Sequence, residues 1–534
     1  MPDRQVSMSD VARQLEVTLS AVSNWRRRHP SFPSAEKVNG QEMFLVREIV
    51  DWLDGRKISK KDLKPGELPG TTYGTRFRGA MRIGHASHVA IADALWDELI
   101  QFRGAEDVAM FADLVLGLLY LAVSNDRHWN DIVATEGSRR LQLMELAALD
   151  HRPVLHVLHR ARSSFFNDTR GETRLTEIIR LVERMRRSGQ GPDMFEFLLN
   201  QFAAAEGRRG SGVHTPAALV RLLVELVAPA PGTSVFDPCC GSGGFLLGAA
   251  KYIAAHAGHD FDASFTGHAL SERSASLAYM NLQLHHVPAD VDIRADALFR
   301  NDGMLIANER FDVVLSNPPF DLKEPMWSAS VSELHGRYGT LPKKRTNFAW
   351  LQYVMSSLTN SGRAAVVMPG GTLFRGGAEG QVRANMIEEG VVEAIIALPS
   401  QMFVSTGIPV NVWLLRPSER REGEILLIDA SDLGHLTSRT QRSLSDEDQS
   451  RIGDTVKQWR AGDGYENVRG FSASVVVQRI REQDYVLTPA RYVGTSVELN
   501  PPLRSVRELR DDLARLERRA AAADAAVERQ LDRI

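Results

Sequence analysis

Cysteine is nearly absent from this chain of 534 residues: there are two, Cys239 and Cys240, and they are neighbours. Adjacent cysteines rarely bridge each other, and no metal-ligand spacing surrounds them, so neither a disulfide framework nor a metal site is expected. Cysteine this sparse fits a reducing, cytoplasmic setting. Long apolar runs are also missing. A run such as Phe111 to Val123 is too short to cross a bilayer core of about 30 Å, and no membrane partner is expected. The first residues, with Asp3, Arg4, Ser7 and Asp10, lack the apolar core of a signal peptide. Excess charge of one sign is lacking too. The net charge is −3, so contact with nucleic acid must come from local basic patches and not from the chain as a whole.

What is present is enough chain for about three or four domains. Residues 1–57 open with two short helices over 7–28, the second beginning near Leu19 and ending in Trp25-Arg26-Arg27-Arg28. A small hairpin turning at Asn39-Gly40 and a helix from Val46 to Leu53 follow. That order resembles the winged helix-turn-helix of MerR-like and excisionase-like DNA binders. The plain alternative is a solvated basic helix end. Residues 58–85 read as a linker, and 86–205 as an all-helical domain with apolar residues at helical spacing. From 206 to 418 strands and helices alternate, which argues for an α/β, doubly wound, Rossmann-like and mostly parallel sheet. Residues 419–499 read as a mixed region with one clear strand, Glu424 to Ile428. Residues 500–534 read as a C-terminal helix with a weak leucine seam.

Two stretches carry the chemistry. Phe236-Asp237-Pro238-Cys239-Cys240-Gly241-Ser242-Gly243-Gly244-Phe245 is a strand end, a glycine turn and a helix start. Such a turn lets backbone approach a ligand at the carboxyl edge of a sheet. Gly241 and Gly243 would face the amino-acid part of a sulfonium methyl donor, and Asp237, followed by Pro238, would meet its ammonium group. Thr215, an N-cap candidate ahead of Pro216, would hold its carboxylate. Asp296 stands where a carboxylate could accept the amino group of an adenine ring.

The second stretch, Asn317-Pro318-Pro319-Phe320, suits transfer to an exocyclic amino nitrogen. The lone pair of such a nitrogen is delocalised into its ring. The Asn317 side-chain carbonyl and the Pro318 backbone carbonyl can hold both amine hydrogens and stabilise the charge that develops. Pro318 and Pro319 stiffen the turn. Phe320 would stack on a base rotated out of the duplex.

On these motifs, with Met280-Asn281-Leu282 and Val366 to Glu379, residues 100–415 resemble the adenine-N6 DNA methyltransferase subunit of type I restriction–modification systems. The resemblance implies an S-adenosyl-L-methionine-dependent enzyme acting on double-stranded DNA beside a specificity subunit, with a restriction nuclease subunit as a further partner. Two features depart from it. Ala269 stands where the family places a glutamate on the cofactor ribose, and the N-terminal helix-turn-helix is an addition. Ala269 keeps open a second reading, a DNA-binding regulator or scaffold with a weakly active or inactive methyltransferase domain. RNA or a protein glutamine is a third, since Asn-Pro-Pro-aromatic tetrads serve those amines too.

Overall fold

The computed structural model describes residues 5–15, 17–29, 31–38, 41–54, 108–124, 126–149, 169–187, 191–206, 215–258, 262–293, 309–321, 333–342, 346–403, 407–417, 423–437, 441–462 and 464–494, with isolated positions among 56–77, 154–158, 305–307 and 510–518. The chain divides into two compact units, Met1–Phe202 and Ala203–Ile534.

In the first unit, helices Met8–Leu15 and Leu19–Arg28 are set by their caps. The Ser7 hydroxyl accepts the Asp10 N–H, and the Thr18 hydroxyl accepts the Ala21 N–H, each satisfying a donor that the first helical turn leaves orphaned. Strands Glu36–Val38 and Gln41–Leu45 form an antiparallel hairpin, extended on its other side by Gln5–Val6. Helix Val46–Asp54 follows. Val11, Leu15, Val22, Phe44 and Ile49 share one core, and Tyr73 and Phe77 pack into it. The expected linker, residues 58–85, is therefore partly folded onto the N-terminal elements. Further along, helices occupy Val108–Ser124, Asp126–Ala134, Gly137–Leu149, Thr169–Arg187 and Gly191–Glu206, and no strand occurs among the described residues of 86–205. Val108–Ser124 is buried on every side from Phe111 to Ala122, as an all-round apolar helix must be. No helix among the described residues is long and apolar enough to cross a membrane.

The second unit is built on one nine-stranded sheet. Its strands are β1 (Ser234–Asp237), β2 (Ser264–Ala269), β3 (Ala289–Ile293), β4 (Phe311–Ser316), β5 (Leu358–Pro369), β6 (Val392–Ala397), β7 (Val410–Leu415), β8 (Glu424–Asp429) and β9 (Ser472–Val476). Their spatial order is β9-β8-β6-β7-β5-β4-β1-β2-β3. β7 runs antiparallel to β5 and β6, and β9 antiparallel to β8; the other pairs are parallel. The helices are α1 (Ala217–Val227), α2 (Gly244–Ala257), α3 (Glu272–Leu284), α4 (Thr346–Ser356), α5 (Gly377–Glu388) and α6 (Asp446–Ala461).

Period-two alternation sorts the strands' side chains into two apolar layers. Val313, Leu315, Ala365 and Val367 face α1, α2, α3 and α6. Val314, Ala364, Val366 and Met368 face α4 and α5. Both faces are covered, as a doubly wound sheet requires.

One expectation changes. Residues 419–499 are not a separate region, because β8 and β9 extend the same sheet. The C-terminal helix expected over 500–534 lies outside the described residues except at 510, 513–515 and 518, which are helical. The chain lays β1, β2 and β3 outward in one direction, then returns to place β4 on the other side of β1. That reversal is a topological switch point, where the carboxyl ends of neighbouring strands open a crevice for ligands.

Candidate active site

Asp237 is the last residue of β1 and Ser316 the last of β4, so the switch point brings the two motif stretches side by side. After Asp237 the chain turns through Gly241 and Gly243, with φ of 53° and 78°. This left-handed backbone favours glycine. A Cβ on Gly243 would also lie 3.1 Å from the Leu282 side chain of α3. The turn rests on β2: the Cys240 N–H donates to the His268 carbonyl at 3.0 Å. A Cβ on Gly267 would meet Cys240 Sγ at 3.1 Å. From α3, Asn281 donates its side-chain N–H to the Ser242 carbonyl at 2.9 Å. Asn281 is thus a positioning residue for the glycine turn. Its signal in the sequence was a polar side chain between two apolar helix residues, Met280 and Leu282.

Asp237 is 1% exposed. Its Oδ1 accepts the Cys239 N–H at 3.0 Å. Burial pushes its carboxyl up to about 7, against the downward pull of that N–H and of the nearby Ser316 hydroxyl, which itself makes no hydrogen bond of regular geometry. A buried carboxylate with one firm donor is suited to a cationic ligand group. Burial, and the adjacent Asp237 charge, also raise the Cys239 and Cys240 thiols well above their ordinary value. Both are thereby held toward the neutral thiol, the less reactive form, since it is the thiolate that attacks.

Asn317 follows β4 and is 4% exposed. Its Nδ2 donates to the Thr215 hydroxyl at 3.1 Å, while its Oδ1 is buried with no partner. The amide is therefore oriented by Thr215, with its carbonyl left as an open acceptor. A buried acceptor without a donor costs about 1–3 kcal/mol and calls for an explanation. Thr215 differs here from the expected N-cap. The capping position of α1 is Pro216, whose carbonyl accepts the Leu219 and Val220 N–H groups, and no side chain caps that helix. The Thr215 hydroxyl instead accepts the Asn317 Nδ2–H, which leaves its own proton to donate.

Pro318 is buried, while Pro319 and Phe320 are half-buried, with Phe320 against the apolar layer that α2 covers. The tetrad ends at Asp321, whose φ of 44° is left-handed. Asn347, in the first turn of α4, fixes that conformation. Its Oδ1 accepts the Asp321 N–H at 3.1 Å, and its Nδ2 donates to Asp321 Oδ1 at 2.9 Å. Sequence reasoning did not single out Asn347, which acts only through a contact 26 residues away. Ala269, at the end of β2, is fully buried in an apolar layer and offers no acceptor to a ligand hydroxyl. Asp296 lies outside the described residues.

Residues 191–500 match the family of N-6 DNA methylases. The chain is 35% identical over 306 residues to the type I restriction enzyme HindI methylase subunit of Haemophilus influenzae, covering 57% of this chain and 68% of that one. It is 31% identical over 317 residues to the MjaIX methylase subunit of Methanocaldococcus jannaschii, covering 57% of this chain and 56% of that one. This chain thus spans little more than half the length of the second relative. Among solved structures, the methyltransferase subunit of a type I restriction-modification system from Streptococcus thermophilus superposes with a TM-score of 0.57 at 22% identity. That match covers 76% of this chain and 99% of the other, and it is a likeness of fold.

Proposed function

The chain belongs to the N-6 DNA methylase family, and from that premise we propose that it is an S-adenosylmethionine-dependent DNA methyltransferase acting on adenine N6, the modification subunit of a restriction–modification system. The observation that carries the reading is the orphaned carbonyl of Asn317, buried at the switch point and aimed by Thr215. An exocyclic amine has the donors that this acceptor lacks.

The residues fit the cofactor at its amino-acid end. The buried Asp237 carboxyl suits an ammonium group, and the turn at Gly241 and Gly243 brings backbone close to it. Thr215 and Pro216 border the same place. The chemistry that S-adenosylmethionine supplies when bound is a methyl group on a positive sulfur, already activated for displacement. The protein has to orient the two partners and exclude water. Asn317 Oδ1 and the Pro318 carbonyl hold the two amine hydrogens and stabilise charge as the nitrogen becomes the nucleophile, with Pro319 keeping the turn rigid and Phe320 stacking on the extruded base. Asp296 is proposed for the cofactor's adenine. A specificity subunit supplies target recognition and a restriction nuclease subunit completes the system. The N-terminal helices and hairpin act as a winged helix-turn-helix on double-stranded DNA.

The test is Asn317→Ala, co-expressed with the partner subunits in cells free of adenine methylation. Methylation, read by direct sequencing of plasmid DNA, should fall by about 100-fold or more, the scale set by removing one preorganised transition-state contact. Cofactor affinity, read by calorimetry, should stay within about threefold. Methylation persisting at the parental rate would remove Asn317 from the transfer.

A further inference from the structure

Between β5 and α5 the chain makes a tight turn whose construction is out of proportion to its place at the surface. A 3-10 turn, Gly370–Leu373, is held by the Thr372 hydroxyl donating to the Pro369 carbonyl at 2.8 Å. Gly370 N–H donates to the Pro409 carbonyl, and Leu487 N–H to the Leu373 carbonyl, both at 2.9 Å. Beneath it lies Arg383 of α5, 2% exposed. Its guanidinium donates to the carbonyls of Thr372 at 3.2 Å, Arg375 at 2.7 Å and Tyr485 at 2.8 Å. Burying a cation is costly, and backbone carbonyls placed to receive it are what make the burial tolerable.

This rigid pedestal presents Phe374, which is 59% exposed and the one exposed phenylalanine, tyrosine or tryptophan among the described residues. A lone exposed apolar residue needs no explanation by itself. The neighbour of Phe374 supplies one. The Arg375 side chain folds so closely over Gly371 that a Cβ there would sit 2.6 Å from its Nε. Its guanidinium lies 3.6 Å from the Asp321 carboxylate. Both partners of that pair are about half in solvent, so it adds little to stability. What it does is tie the turn to the residue directly after Phe320, at the end of the Asn317 tetrad. A stiff turn, an exposed aromatic and a half-exposed arginine thus stand together beside the end of the Asn317–Phe320 tetrad.

We propose that Phe374 enters the duplex beside the target adenine and fills the gap in the base stack while that adenine occupies the Asn317 pocket, with Arg375 meeting a flanking phosphate. The inference rests on the methyltransferase reading. Removing a base from the stack costs unstacking energy, and an apolar wedge that takes its place recovers part of it. Phe374 is a positioning residue: it acts on the population of open base pairs, not on the reacting atoms.

The test uses the protein with its partner subunit and a duplex bearing the sequence that the parent methylates. In one duplex the target adenine faces thymine; in the other it faces an abasic position, where little pairing resists extrusion. Phe374→Ala should slow methyl transfer on the paired duplex about 10- to 100-fold, the span of losing one base–aromatic stack. On the abasic duplex the loss should shrink to about threefold or less. Phe374→Trp should keep both rates near the parental ones. Fluorescence of 2-aminopurine at the target position should rise less on binding of Phe374→Ala than on binding of the parent. Equal losses on the two duplexes, or a parental rate for Phe374→Ala on the paired one, would overturn the inference alone. A parent that methylates neither duplex would remove the methyltransferase reading, and this inference with it.

Discussion

Asp237 is a carboxyl group set to titrate near neutrality, because burial lifts it to about 7. Its sign matters twice. A folded-state value above the unfolded one means that the folded chain binds this proton more tightly. The resulting stability is complete at low pH and is lost as pH rises from the ordinary carboxylate range to about 7. Asp237→Asn, which keeps the site neutral, should therefore raise the melting temperature of the ligand-free protein most at pH 8 and progressively less down to pH 4, as calorimetric scans would read. For a cationic ligand the dependence is opposite, since only the ionised carboxylate attracts an ammonium group. Affinity for S-adenosylmethionine should be about tenfold greater at pH 8 than at pH 6, the ratio of ionised fractions for one proton with a value near 7. Asp237→Asn should be weaker at both pH values with the slope gone. An unchanged slope in that variant would place the titrating group elsewhere.

Helix Leu19–Arg28 shows how an element divides its labour. Val22 is buried in the N-terminal core. Arg26 turns inward over the hairpin and forks onto Glu42 at 2.7 and 3.0 Å. Ser20, Ser23, Arg27 and Arg28 stay exposed, so the helix has one basic face free for a phosphate backbone. Arg27→Ala with Arg28→Ala should weaken duplex binding and flatten its salt dependence, each lost phosphate contact taking about 0.9 from the slope of log affinity against log salt. A slope equal to the parent's would mean that this helix does not face DNA. Elements of this kind were legible in the sequence because caps, apolar spacing and basic ends are local signals. The same holds for β1 and β4, whose apolar runs end in Asp237 and Asn317. What was not legible depends on distant partners. Asn347, in the first turn of α4, clamps Asp321 from 26 positions away, and nothing local signals it. β9 escaped notice because Ser472-Ala473-Ser474-Val475-Val476 is a short edge strand whose one strand partner among the described residues is β8, nearly fifty residues earlier. The tetrad announced its chemistry, but the bond from Asn317 to Thr215 spans 102 positions and no local pattern carries it.

At the scale of the catalytic unit, β8, β9 and α6 decide whether the far half of the sheet is one body with the half that holds the site. Ile452, Val456 and Trp459 of α6 share an apolar layer with Leu246 of α2 and Val313 of β4. Arg460 makes the polar counterpart. It donates to both oxygens of Glu393 on β6, at 3.0 and 2.6 Å, and to the Leu226 carbonyl at the end of α1. Glu393 keeps only 2% of its side chain exposed, and Arg416 stands 3.8 Å away as a weaker second partner. Removing one partner of a buried ion pair costs about 3–5 kcal/mol, because the charge left behind has lost both water and counter-ion. Arg416 offsets part of that, so Arg460→Met should cost about 3 kcal/mol, near the low end. The cost should be felt everywhere at once: in urea, tryptophan fluorescence and hydrogen exchange at β1 and β4 should report a single transition at a lower midpoint. If the segment 424–476 exchanged early while β1 and β4 kept parental protection, the C-terminal strands would be an appended module. The ties of Arg460 to β6 and α1 predict instead that the edge and the site unfold together.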